Sequence, residues 1–546
     1  MTVVKNASGM SPGEQHRRYD AIVVGAGFAG MYALHRLRGM GMSVRVFERG
    51  GGVGGTWYWN RYPGARCDLE SMEYSYSFSP ELQQQWDWSE KYGTQPELLN
   101  YANHVADRFE LRRDIEFHAH VVSLRYGAEA GLWTLRTDTG EAATAPVCIL
   151  ATGNLSTPQL PDIPGVAEFD GRQFHTGDWP HEGVDFSGRC VGIIGTGSSA
   201  IQAIPVIARQ AKHLNVFQRT ANFSIPARHG PLSRETREVE KARYDEMRRQ
   251  ALTTPFGISK YPAPARSAFD VSAEERQRIY EAAWQQGGQA MLFAFNDLLV
   301  NEEANETAAE FVRTKIRSIV KNPEVAEALC PKDHPIGTKR LCLDTDYFET
   351  YNRENVTLVD VRTAPIERIS KDTVVVGGRA YPIDDLVLAT GFDAMTGAAK
   401  DIDISNGDGK RLRDAWAEGP RTYLGLMVSG FPNLFLITGP QSPGVKSQMI
   451  LSIEQHVDMI AGIIDRLRES DARSVVASED AQRKWGRHVD AVANATLYTK
   501  ANSWYMGANI PGKHRVFMPY VGGVDRYKKT CDEVVAKGYS GFVFER

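Results

Sequence analysis

Two segments of the chain share one grammar, and together they restrict its fold more than any other feature. AIVVGAGFAGMYALHRLRGMGMSVRVFE, from residue 21, runs from a short apolar stretch through a glycine turn into an amphipathic stretch, with Met31, Leu34 and Leu37 on one face. Glycines then stop the helical pattern and SVRVFE reads as a second strand. CVGIIGTGSSAIQAIPVIARQAKHLNVFQRT, from residue 190, repeats the order of strand, glycine turn, helix and strand, with a kink expected at Pro205. Each is a beta-alpha-beta unit of the kind that cradles a dinucleotide. The sequence therefore predicts an α/β protein with two Rossmann-like dinucleotide-binding domains. Two such units mean two dinucleotides, or one live site and one decayed copy.

The loops differ in what they select. In GAGFAG, Gly25 permits the tight turn, Gly27 lets the backbone approach a pyrophosphate beside Phe28, and Gly30 allows close packing of helix on strand. The helix N-terminus adds free N–H groups and partial positive charge. Glu48 ends the next strand, 18 residues after Gly30. That is close to the roughly 20 expected of a carboxylate accepting from ribose hydroxyls; the alternative is a solvated strand-end acid. The second loop has Gly195, Thr196, Gly197, Ser198, Ser199 and Ala200, and its next strand ends in Gln218-Arg219-Thr220. A carboxylate there would repel a 2′-phosphate, whereas a guanidinium binds one bidentately and a hydroxyl adds a donor. The second site is expected to prefer NADPH over NADH, unless Arg219 is an ordinary surface arginine. Two unlike sites fit a flavoenzyme, with FAD in the first.

At 546 residues the chain exceeds what one core usually sustains. Pro158, Pro161 and Pro164 mark a stiff connector, and the phrases ILATG at 149 to 153 and LVLATG at 386 to 391 suggest strands ending at a crossing between domains. The expected division is a disordered tail over 1–18, an FAD domain over 19–155 and 386–546, an NADP domain over 156–230 and 326–385, and a charged helical insert over 231–325. Lys plus Arg number 63 against 67 for Asp plus Glu, with no long run of like charge, which argues against nucleic acid or an anionic membrane as partner. Six cysteines without a CxxC pair fit a reduced, cytoplasmic protein, and no apolar stretch is long enough to span a membrane. No metal is expected. A small-molecule substrate is, with a monomer or small homo-oligomer as the assembly.

GGTWYWNRYPGARCDLES at 54 to 71, FDGRQFHTGDWP at 169 to 180, the second glycine loop and ANSWYMGANIPGK at 501 to 513 together resemble the type I Baeyer-Villiger monooxygenases. The family fingerprint FxGxxxHxxxWP is met by Phe169, Gly171, His175, Trp179 and Pro180. The resemblance runs from about residue 19 to the C-terminus. It implies that NADPH reduces FAD, that O2 forms a flavin C4a peroxide, and that a ketone becomes an ester or lactone, with sulfides as further substrates. By resemblance Arg340, in HPIGTKRLCLD, is the catalytic arginine, Asp68 orients it, and Lys339 reaches the NADPH 2′-phosphate. Read from sequence alone, Lys339-Arg340 would be solvated surface, and Asp68 a helix N-cap.

The same resemblance gives Gly55, Thr56, Trp57, Tyr58, Trp59, Asp68, Tyr74 and Val121 to FAD. Arg66, Cys67, Arg340 and Trp504 fall to NADP, Trp504 as the loop residue that closes over it. The aromatic run could otherwise be plain core, and Trp504 simply packed. GPQSPGVKSQM at 439 to 449 is expected to shape the substrate pocket through Gly444, Val445, Lys446 and Met449, with Asn154 as a further member. Lys446 is odd beside an apolar ketone: it either snorkels outward or binds a polar group on the substrate. His175 is read as a hydrogen-bonding brace at the domain junction, since the chemistry needs a cation that does not titrate. An N- or S-oxygenating flavin monooxygenase shares both loops, but Trp179-Pro180 argues against it. A disulfide reductase is disfavoured by the missing CxxC. An NADPH-binding flavoprotein sensor would not need Arg340, Asp68 and Trp504 together.

Overall fold

The computed structural model describes residues 17–546. Each glycine-loop unit anchors its own parallel five-stranded sheet. The first sheet has the order Leu434–Leu436, Val147–Leu150, Ala21–Val24, Val44–Phe47, Ile115–Glu116. Its central strand, Ala21–Val24, is buried throughout, as expected of a strand covered on both faces. Helix Phe28–Gly39 follows the first loop and packs against the long helix Met449–Glu469. The second sheet has the order Val356–Asp360, His213–Gln218, Cys190–Ile194, Asp385–Leu388, Arg172–His175. Helix Ser198–Gln210 continues through Pro205 as one element.

Two features depart from the sequence-based division. Arg17 and Arg18, assigned to the tail, pair with Ala143 and Thr144 in a mixed sheet; the rest of that tail lies outside the described residues. That sheet also joins Leu132–Thr137, Val121–Gly127 and Asp403–Ser405, over a core that includes Trp133, Leu135 and Ile404. Strand Asp385–Leu388 pairs on both sides within the second sheet, so the chain leaves that sheet after 388 and not at 386. Residues 231–325 form a helical layer of Arg234–Ala242, Tyr244–Ala251, Ala273–Gln286 and Glu302–Ile319.

The two chain crossings between the sheets lie side by side. Gln159 N donates to Gly391 O at 2.8 Å and Asp393 N to Thr157 O at 2.9 Å. The proline-rich connector and the second ATG phrase thus form one paired hinge.

Candidate active site

The first loop builds a cleft by excluding side chains. Gly25 has φ +102°, and a Cβ there would lie 2.6 Å from Ala151 O; at Gly30 it would lie 1.8 Å from Gly25 O. Neither position tolerates a side chain. Glu48, 6% exposed, accepts from Ala26 N and Gly50 N, each at 2.7 Å. It is no solvated strand-end acid; its carboxylate holds the loop at the mouth of the cleft.

One cleft opens beside this loop. Gly25, Gly27, Phe28, Glu48, Gly55, Thr56, Trp57, Trp59, Tyr74 and Val121 line it, with Asn154, Val445 and Met449. Trp57 Nε1 donates to Tyr74 Oη at 3.2 Å, which fixes one aromatic wall. Gly30, Tyr58 and Asp68 do not line the cleft. Gly30 packs under the loop, and Tyr58 turns outward, its hydroxyl accepting from Gly51 N at 2.9 Å.

In the second loop Gly195 has φ +116° and would clash with Ala389 O, whereas Gly197 faces open space. Ala200 is fully buried, so the helix here accommodates a methyl where the first needs glycine. Thr196 Oγ1 donates to Thr220 O at 2.6 Å, tying the loop to the end of the next strand. Ser198 Oγ lies 3.2 Å from Cys342 Sγ, and Ser199 is half-buried beside it. Arg219 is exposed. Burial lowers the pKa of Lys339; Asp333, 3.8 Å away, opposes that shift, and the Arg219 charge adds to it. Two cations from distant segments thus face the same space.

Arg340 and Asp68 meet as a bidentate pair. Arg340 Nε donates to Asp68 Oδ2 at 2.8 Å and Nη2 to Oδ1 at 2.6 Å, while Nη1 donates to Val445 O at 2.9 Å. Burial alone would lower the arginine pKa, but the Asp68 charge and hydrogen bonds raise it above its ordinary value. The guanidinium is a fixed cation. No helix starts at Asp68, so the N-cap alternative falls. The flanking residues have other partners: Arg66 Nη1 contacts Glu90 at 2.5 Å and Tyr92 O at 2.7 Å, and Cys67, buried, donates its N–H to Gly93 O. Burial, with the Asp68 charge second, pushes the Cys67 thiol pKa up.

The fingerprint lies at the hinge. His175 ends a strand of the second sheet; its Nδ1 accepts from Gly177 N at 2.9 Å and its Nε2 lies 3.4 Å from Thr390 Oγ1. Burial holds the imidazole below its ordinary pKa. Trp179, 2% exposed, donates its backbone N–H to Trp59 O at 3.3 Å, linking the hinge to the aromatic wall. Phe169 is buried, and a Cβ on Gly171 would meet Asp384 O at 2.3 Å. Pro180 closes the stretch just before a turn, its carbonyl accepting from Gly183 N at 3.4 Å.

The C-terminal loop supplies contacts that the sequence did not announce. Asn509 Nδ2 donates to Phe392 O at 2.8 Å, and Lys513 Nζ bonds Asp393 and, at 2.9 Å, Ala394 O. The loop bearing Trp504 is therefore tied to the hinge. Trp504 packs tilted against Tyr505, centroids 4.1 Å apart. Lys446 points inward, its Nζ 4.2 Å from the Tyr498 ring centroid and 4.7 Å from that of Tyr505. Gly444 opens the short turn that carries it. Asn154 Nδ2 lies 3.4 Å from Thr438 Oγ1. Tyr505 lies within ANSWYMGANIPGK, whereas Tyr498 and Asp393 lie outside every motif.

Two sheets with glycine loops, a paired hinge and a deep cleft in the first unit define a two-dinucleotide oxidoreductase class. Residues 22–254 match the family model described as pyridine nucleotide-disulphide oxidoreductase, although all six cysteines are free. A Baeyer-Villiger monooxygenase of Pseudooceanicola batsensis is 42% identical over 97% of this chain and 96% of its own length. A phenazine N-monooxygenase of Lysobacter antibioticus is 39% identical over 96% and 97%. Among solved structures, oxidized steroid monooxygenase bound to NADP matches with TM-score 0.92 and 50% identity over 97% of this chain and 99% of that one. The OTEMO complex with FAD and NADP matches with TM-score 0.93 and 39% identity over 97% and 100%. The chain belongs to the Baeyer-Villiger monooxygenases.

Proposed function

We propose that the chain holds FAD in the first cleft and NADPH against the second loop, and converts ketones with O2 into esters or lactones. The balance is ketone, O2, NADPH and a proton giving ester, NADP+ and water. When bound, FAD supplies the transfer of reducing equivalents from NADPH to oxygen. The residues fit it: the Gly25, Gly27 and Gly55 cradle leaves the backbone open to a pyrophosphate, Glu48 stands at the strand end, and Trp57, Trp59 and Tyr74 wall the cleft. The observation that carries the reading is the Arg340 and Asp68 pair, which brings a permanent cation from residue 340 to a carboxylate beside the aromatic run.

Arg340 holds negative charge on the reacting oxygen and on the developing ketone oxyanion. Asp68 fixes the plane of the guanidinium and offsets the cost of burying it. Arg219, Thr220 and Lys339 hold the 2′-phosphate, and Gly195, Thr196, Gly197, Ser198 and Ser199 receive the pyrophosphate. Trp504 closes over the nicotinamide end; Asn154, Val445 and Met449 shape the ketone pocket and exclude water. His175 braces the hinge without exchanging a proton.

No helix among the described residues is long and apolar enough to cross a membrane. With every cysteine free, we place the protein in the cytoplasm as a monomer or small homo-oligomer. The phenazine N-monooxygenase relative favours one second reading, oxygenation of an aromatic nitrogen. Purified holoenzyme with NADPH, O2 and a panel of ketones, sulfides and N-heteroarenes separates the two by mass spectrometry. Esters are the expected products; N-oxides alone would favour the second reading, and peroxide alone a sensor.

A further inference from the structure

The proposed function accounts for Arg340 but leaves Lys446 without a task. Its ammonium makes no hydrogen bond or ion pair with any described residue and rests only against the faces of Tyr498 and Tyr505. Both tyrosines are almost fully buried, at 3% and 0% exposed, and both hydroxyls lack a partner among the described residues. Val445, the residue before Lys446, gives its carbonyl to Arg340, and both Val445 and Met449 line the cleft. Lys446 itself is half-buried and does not line that cleft, but follows directly on Val445, which does.

The groups gathered here are donors: three N–H on the ammonium, one O–H on each tyrosine, and the N–H groups of Arg340 that Asp68 and Val445 leave free. The ammonium meets no acceptor among the described residues, although each tyrosine oxygen can also accept. Burial and the like charge of Arg340 press the ammonium pKa well down, a cost that persists until an anion arrives. A simple dialkyl ketone brings one acceptor, which Arg340 takes. A carboxylate brings two oxygens with about four lone-pair sites and a charge of the right sign.

Resting on the reading of this site as a ketone oxygenase, we propose that Lys446, with Tyr498 and Tyr505, is a specificity element selecting ketones that carry a carboxylate a few bonds from the carbonyl. The carbonyl would face Arg340 while the carboxylate displaces the ammonium from its resting place on the two rings. Neutral ketones of the same length would leave Lys446 as it is now.

The test compares 5-oxohexanoate with its methyl ester, which keeps the shape and removes the charge. Calorimetric titration of the holoenzyme with NADP+ present gives binding, and ester formation with NADPH gives kcat/KM; both ratios are taken within each variant. A charge-assisted hydrogen bond predicts that the wild type prefers the keto acid by about tenfold or more. Lys446→Met should bring both ratios near one, Lys446→Arg should keep part of the preference, and Tyr498→Phe with Tyr505→Phe should reduce it. An unchanged ratio in Lys446→Met overturns the proposal, as does a wild type indifferent to the charge. Should Lys446→Met fail to fold or retain FAD, the double tyrosine variant decides: an unchanged ratio there counts against the proposal. If no ketone of either kind gives ester, the oxygenase reading fails, and the binding ratio still decides the role of Lys446.

Discussion

The two glycine loops open alike and end differently. In the first, a buried glutamate is held by the loop's own amides, the third position admits no side chain, and the loop lines a cleft walled by Trp57, Trp59 and Tyr74. In the second, the third position is alanine, the central glycine faces open space, and the strand ends in an exposed arginine. The contrast separates a dinucleotide meant to stay from one meant to come and go. Deep walls slow dissociation; an open loop with charge at its rim favours capture and release.

Arg340→Ala should have the largest effect on this picture. Removing this guanidinium should cut ester formation by at least about a hundredfold, while anaerobic stopped-flow still shows NADPH bleaching the flavin. Loss of both steps together would mean that Arg340 serves the second loop alone.

The next test sets the third loop positions against each other. Gly30→Ala forces a Cβ to within 1.8 Å of Gly25 O and should cost about 1–3 kcal/mol or more, with loss of FAD absorbance on purification. Ala200→Gly should cost only about 1 kcal/mol and leave FAD bound. Similar melting temperatures for the two would remove the asymmetry.

Arg219→Ala should raise the KM for NADPH by about tenfold, the worth of a charge-assisted contact, with little change for NADH. An equal change for both would detach Arg219 from the 2′-phosphate. Smallest is His175→Gln: NADPH oxidation and ester formation should persist with a lower ratio of ester to NADPH consumed. Complete loss of ester with intact fold and flavin would return His175 to the reacting groups.

Sequence reading went furthest where one residue answers one local demand. Gly25 and Gly30 are required by neighbouring backbone, Glu48 by the amides of the loop it faces, and the segments around them could be read in isolation. It failed where the demand came from elsewhere in the chain. The mixed sheet that captures Arg17 and Arg18 assembles strands from three stretches of the chain, and nothing in two arginines signals a strand. The boundary near 386 was misplaced because the second ATG phrase marks the end of a strand, not the start of a new domain. Arg340 was recognisable only by family likeness, since a Lys-Arg pair carries no sign of a carboxylate 272 residues away. Lys446 posed a choice that only the two tyrosine rings resolve.

The central claim is that one atom of O2 enters the substrate beside its carbonyl at the expense of NADPH. Holoenzyme incubated with NADPH, a ketone and 18O2 tests it directly. The account predicts an ester carrying one 18O in its bridging oxygen, formed one for one with NADPH. Ester without label, or NADPH consumed with all label in hydrogen peroxide and none in ester, would contradict it.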